Sequence, residues 1–137
     1  MENNKIDQEQ LIAQLNQAVS GLLWLSESDY PWQVVSWQNE SNCERHILRQ
    51  RYNYPPEIEI ATTTLDSFFA SAILEQEWHD EIEQTETKRY QILYDLLNDN
   101  LEDLRVFLVG KTEIDVFVLG KLDRNTVIGL STKLIAT

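Results

Sequence analysis

The sequence predicts an α+β fold, with helices packed on a mainly antiparallel sheet. Three observations point to it. Two stretches repeat apolar residues at helical spacing. The C-terminal third alternates apolar runs with turn residues. The resulting order is helix, strands, helices, then an antiparallel meander.

The first helix is expected from about Asp7 to Leu25. Leu11, Ile12, Leu15, Ala18, Val19, Leu22 and Leu23 share its apolar face, Asp7 is a natural N-cap, and Gly21 weakens the last turn. Ser26-Glu27-Ser28-Asp29-Tyr30-Pro31 reads as a polar turn. Trp32 to Gln38 and Glu44 to Tyr52 read as two strands joined by a hairpin loop at Asn39-Glu40-Ser41-Asn42. Tyr54-Pro55-Pro56 breaks the second run, and Ile58 to Ile60 suggests a short third strand.

Asp66 to Ala72 fits one or two helical turns capped by Asp66 or Thr64. A long helix is expected from about Thr85 to Leu101, with Tyr90, Leu93, Tyr94, Leu97 and Leu101 in one stripe. Arg105 to Val109 and Glu113 to Leu119 flank Gly110-Lys111-Thr112, a hairpin signature. Apolar side chains occupy both alternating sets of the second strand, as in a central strand covered on two faces. A second turn at Leu122-Asp123-Arg124-Asn125 leads to a last strand, Thr126 to Ile135, with Gly129 as a bulge candidate.

At 137 residues the chain is expected to form one domain, residues 1–137. An apolar content of 42% is enough for a globular core. No segment is apolar enough to span a membrane, and the start lacks the basic and apolar regions of a signal peptide, so the expected location is cytoplasmic. Cys43 stands alone, so no disulfide within the chain is possible. Twenty-three acids against eleven bases give a net charge of −12. Such a field repels nucleic acid and anionic membranes and favours basic partners, although acidity also serves solubility alone.

Catalytic signatures are missing: there is no G-x-S-x-G, no phosphate-binding glycine loop and no H-E-x-x-H, and no cofactor is implied. Cys43-x-x-His46 has zinc-like spacing but supplies two ligands where a structural site needs four. His46 is expected on a strand surface. The run from Glu75 to Glu86 holds six carboxylates, without the spacing that wraps Ca²⁺. It reads either as a solvated face or as an imitation of a phosphate backbone. Trp78 within it is a natural interface anchor or a core residue. Glu27 is either a plain loop carboxylate or a bidentate partner for an arginine. A threonine at the chain's end, Thr137, carries a hydroxyl and a carboxylate, both hard donors of the kind Mg²⁺ accepts.

Several stretches together resemble the nuclease A inhibitor family. They are Gly21-Leu22-Leu23, Ser26-Glu27-Ser28 with Tyr30-Pro31, Asp66-Ser67-Phe68-Phe69, and Gln76 with Trp78. Leu108-Val109-Gly110, Glu113-x-Asp115-Val116, Gly129-Leu130-Ser131-Thr132-Lys133 and the final Thr137 complete the set. The likeness spans nearly the whole chain. Ala136 stands in place of an acid, Glu75 in place of a proline, and Cys43 to Pro56 matches poorly.

The resemblance implies an α/β/α sandwich that inhibits a sugar-nonspecific, Mg²⁺-dependent ββα-metal endonuclease by blocking its active site. It implies that Thr137 approaches the nuclease's magnesium, that Glu27 meets an arginine, and that Gln76, Glu77 and Trp78 join the contact surface. The chain itself would be non-catalytic and hold no metal of its own. Two other readings stay open from the residues: an acidic module for another basic protein, and a hydrolase built around His79.

Overall fold

The computed structural model describes residues 7–24, 30–70 and 81–135. Helix α1 spans Gln8–Val19, and Asp7 caps it with a full capping box: its carboxylate accepts from the Gln10 amide while the Gln10 side chain accepts from the Asp7 amide. A two-residue ribbon follows, β1 at Leu23–Trp24 paired with β2 at Tyr30–Pro31. Strand β3 covers Gln33–Gln38, helix α2 Arg45–Arg51, strand β4 Ile60–Thr63 and helix α3 Leu65–Phe69. Thr64, one of the two expected caps, accepts from the Ser67 amide. Helix α4 runs Glu81–Asn100 and leads into β5 (Glu102–Val109), β6 (Glu113–Asp123) and β7 (Thr126–Ile135).

The five-stranded sheet has the order β3-β7-β6-β5-β4 and is antiparallel throughout. The fold is α+β, as expected, with helices on both faces. Leu11, Leu15, Phe69, Leu93 and Leu97 of α1, α3 and α4 pack against Val106, Val118, Ile128 and Leu130 on one face. Leu48 of α2 packs with Trp37, Phe107, Phe117 and Val127 on the other. Strand β6 lies at the centre and buries Val116 to Gly120 on both faces, which accounts for its lack of polar alternation.

Four expectations are corrected. Glu44 to Tyr52 is helix α2, not a strand, so His46 lies on a helix surface and Asn39 to Asn42 is not a hairpin loop. Arginine, leucine and glutamine are good helix formers. A helix also sets Arg45 and Arg49 one turn apart, where both reach carbonyls of the following loop: Arg45 to Ile60 at 3.3 Å, Arg49 to Pro55 at 2.6 Å and Ile58 at 3.0 Å. Strand β3 accordingly pairs with β7, far away in sequence. Gly129 is not a bulge either: it sits in unbroken register between Leu119 and Val35. A Cβ there would lie 1.8 Å from the Val118 carbonyl oxygen, so close backbone approach is what requires the glycine.

Candidate functional site

The β1–β2 ribbon has only two residue pairs, Leu23 with Pro31 and Trp24 with Tyr30. A ribbon so short has little stability of its own. Side chains from three other elements hold it. The Thr132 hydroxyl on β7 donates to the Pro31 carbonyl at 2.9 Å, with the Tyr30 carbonyl at 3.4 Å. The Trp32 indole N–H donates to the Tyr90 oxygen at 3.0 Å, and the Tyr90 hydroxyl donates to the Leu23 carbonyl at 2.7 Å. Phe69, near the end of α3, meets both rings edge-on, 6.2 Å from Trp32 and 5.6 Å from Tyr90.

Arg89, the neighbour of Tyr90, donates to the carbonyls of Ala18 at 2.9 Å and Ser20 at 2.6 Å. It supplies the positive charge that α1 lacks in its own last turn and ties α1 to α4. Burial raises the pKa of the Tyr90 hydroxyl to about 12. The proton donated to Leu23 is therefore held throughout the neutral range.

Two chain stretches leave beside this node and a third follows the end of β7. Trp24 and Tyr30 flank residues 25–29, Phe69 stands just before residues 71–80, and Ile135 ends β7 before residues 136–137. Those stretches carry every site residue expected from the sequence. Glu27, Gln76, Glu77, Trp78 and Thr137 all lie outside the described residues, as do His79, Glu75 and Ala136. The described structure brings together the flanks of 25–29 and the end of α3 before 71–80, while Ile135 lies three residues beyond Thr132 on β7. Thr132, Trp32 and Tyr90 were not singled out from sequence for this role. A signal did exist: Thr132 is a buried polar residue in line with Ile128, Leu130 and Leu134 on the helix-facing side of β7.

Charge is distributed unevenly. Residues 102–135 hold five acids and five bases, several in ion pairs: Lys121 with Asp103 at 3.5 Å, and Lys133 with Glu113 at 3.4 Å and Asp115 at 3.8 Å. Helix α4 holds five acids against two bases, and the sequence of 25–29 and 71–80 adds five acids with no lysine or arginine. The net charge thus belongs mainly to the helices on one face and to the stretches tethered at the node.

The opposite face offers less chemistry. Cys43 is buried, and burial lifts its thiol to about 11, well away from a reactive thiolate. His46 is exposed beside Glu44 at 3.6 Å. Among the described residues, no three of His, Cys, Asp and Glu come together as a metal cradle. A groove of about 400 Å³ runs past Tyr52, Tyr54, Phe117 and Asp115 and reaches Tyr30, Pro31 and Thr132 at the node. The Tyr54 hydroxyl donates to Asp115 at 2.7 Å, and burial and that bond raise its pKa. Among the described residues no helix is long and apolar enough to cross a membrane.

The family model of nuclease A inhibitor-like proteins matches residues 9–137. The chain belongs to that family. Membership implies a nuclease-inhibitor role, a nuclease as protein partner and a non-catalytic chain. No curated protein matches it.

Proposed function

We propose that the chain is a stoichiometric inhibitor of a sugar-nonspecific, Mg²⁺-dependent endonuclease of the ββα-metal class. The observation that carries this reading is the family match over residues 9–137. Two physical features support it. The flanks of 25–29 and the end of α3 just before 71–80 are tied to one node by Thr132, Trp32, Tyr90 and Phe69. The net charge of −12 is concentrated in the helices and in those stretches. A nuclease cleft must be positive to hold a polyanion, so an acidic protein is steered into it.

In this reading Glu27 pairs with an arginine near the nuclease active site, and Gln76, Glu77 and Trp78 lie in the contact surface. Thr137 brings its oxygens beside the partner's magnesium, where a scissile phosphate would sit. Occupying that place suppresses cleavage with no chemistry by the inhibitor. Residues 1–137 act as one unit in the cytoplasm, touching the nuclease and not its nucleic acid.

The test is titration of such an endonuclease with the protein, read by DNA cleavage. Full inhibition at an equimolar ratio is expected, with association slowing as salt rises. Deleting Thr137 should weaken inhibition at least about 30-fold, the ~2 kcal/mol of a hot-spot contact. Glu27→Ala should cost roughly 2–5 kcal/mol where its partner charge is buried. Unaltered inhibition by the truncated chain would remove the terminal threonine from the mechanism. The acidic run from Glu75 to Glu86 leaves one other outcome, a basic partner that is not a nuclease. Capture of such a protein with no inhibition at any ratio would replace the nuclease reading.

A further inference from the structure

We infer that Thr132, with Trp32 and Tyr90, is a positioning residue for the inhibitory surface: the clasp sets how the ribbon around residues 25–29 stands relative to strand β7 and its end. The inference rests on the inhibitor reading above.

The backbone ladder between β3 and β7 reaches Gln33 opposite Ser131. Pro31, two residues further out, has no N–H with which to extend it. The Thr132 side chain takes over at that point. Its hydroxyl, on a residue only 7% exposed, reaches the Pro31 carbonyl. A buried hydroxyl is costly to leave alone, so the bond holds the Thr132 side chain on the Pro31 carbonyl. Tyr90 does the same for the other strand of the ribbon through the Leu23 carbonyl. Each strand of the ribbon is thus anchored by one hydroxyl, from β7 and from α4.

Phe69 packs on the two rings of this clasp, so the end of α3 shares the same support. A ribbon with two residue pairs cannot fix its own orientation. Its placement therefore depends on these side chains. Holding the ribbon in one orientation lowers the ordering cost of association, which is how a residue that touches no partner affects affinity.

The experiment compares Thr132→Val, which keeps the branched shape and removes the hydroxyl, with Thr132→Ser, which restores a hydroxyl. Two quantities are read: amide exchange in the free protein, and the inhibition constant against a Mg²⁺-dependent nonspecific endonuclease. For Thr132→Val, exchange at Trp24 and Tyr30 should rise about tenfold and inhibition weaken about tenfold, while Val106 and Val118 in the sheet centre stay protected. Thr132→Ser should recover both. In chains lacking Thr137 the Thr132→Val effect should shrink, since the clasp sets the ribbon relative to the strand that leads to Thr137.

Unchanged inhibition by Thr132→Val beside an inhibitory wild type overturns the positioning role and leaves the inhibitor reading standing. Faster exchange spread evenly over the sheet, with no recovery by serine, also overturns it, because the hydroxyl would then be a general stability group. A wild type that inhibits no such nuclease removes the inhibitor reading, and this role falls with it.

Discussion

On the α2 face, Arg45 and Arg49 turn their guanidinium groups toward the carbonyls of Ile60, Pro55 and Ile58. Arg51 lies 4.7 Å over the Trp37 ring and 3.6 Å from Glu40. On the opposite face α4 carries five acids and two bases, and Asp95 and Asp99 stand exposed. Cations on the first face bond the chain's own carbonyls, carboxylate and ring, while Asp95 and Asp99 on the second face solvent. The difference gives an acidic protein a direction: a basic partner is drawn to the helices and the node beside them, not to the surface of α2.

The sharpest break in this contrast comes from Phe69→Ala. It opens a cavity in the core between α3, Trp32 and Tyr90, and should cost about 3–5 kcal/mol. Stability and inhibition should fall together, because the ring supports both the core and the node. A variant that loses stability but inhibits at full strength would separate the node from the function.

Alkaline pH tests which face loosens first. Cys43, on the α2 face, moves from an ordinary 9.0 to about 11, and Tyr90, on the helix face, from 10.0 to about 12. Both groups hold their protons more tightly in the folded chain. Each therefore contributes stability that is complete below its unfolded value and is lost as pH rises through its folded value. The α2 face should weaken from about pH 9 and the helix face about one unit later. Urea midpoints between pH 8 and 11 measure this, and Cys43→Ala should delay the onset. An onset that stays at pH 9 without the thiol would assign the loss to other groups.

Arg49→Ala should remove about 1–3 kcal/mol by taking the guanidinium donor from the Ile58 carbonyl and one of two donors from the Pro55 carbonyl. The nuclease inhibition constant should be unaltered, because the residue lies on the face turned away from the acidic helices. A loss of affinity would extend the contact surface around the molecule.

Much of the fold was readable because it depends on local pattern. The cap at Asp7, the stripe of α4, and the two hairpins from β5 to β7 each follow from residues close in sequence. Helix α2 was misread because Ile47 and Leu48 are adjacent, and alternating polar neighbours give a short amphipathic run no unique period. The β3–β7 pairing joins residues about 90 positions apart, and no local pattern encodes such a partner. The expected contact residues came from family likeness, whereas the clasp supporting their attachment points emerged only once Thr132, Trp32 and Tyr90 met in space.

The smallest effect is also the most diagnostic. Asp99 lies in the last turn of α4, four residues after Asp95, and that turn has no basic residue. An acid at a helix C-terminus opposes the helix dipole, and like charges four apart repel. Local stability alone would favour a neutral or basic residue at both positions. Asp95→Asn with Asp99→Asn should therefore stabilise the chain by roughly 0.3–1 kcal/mol. The same change should slow association with a basic nuclease at low salt and leave the dissociation rate nearly constant. Raising salt should erase the difference. Gained stability with an unaltered association rate would show that these acids do not steer the partner, and the source of attraction would then narrow to the acids of 25–29 and 71–80.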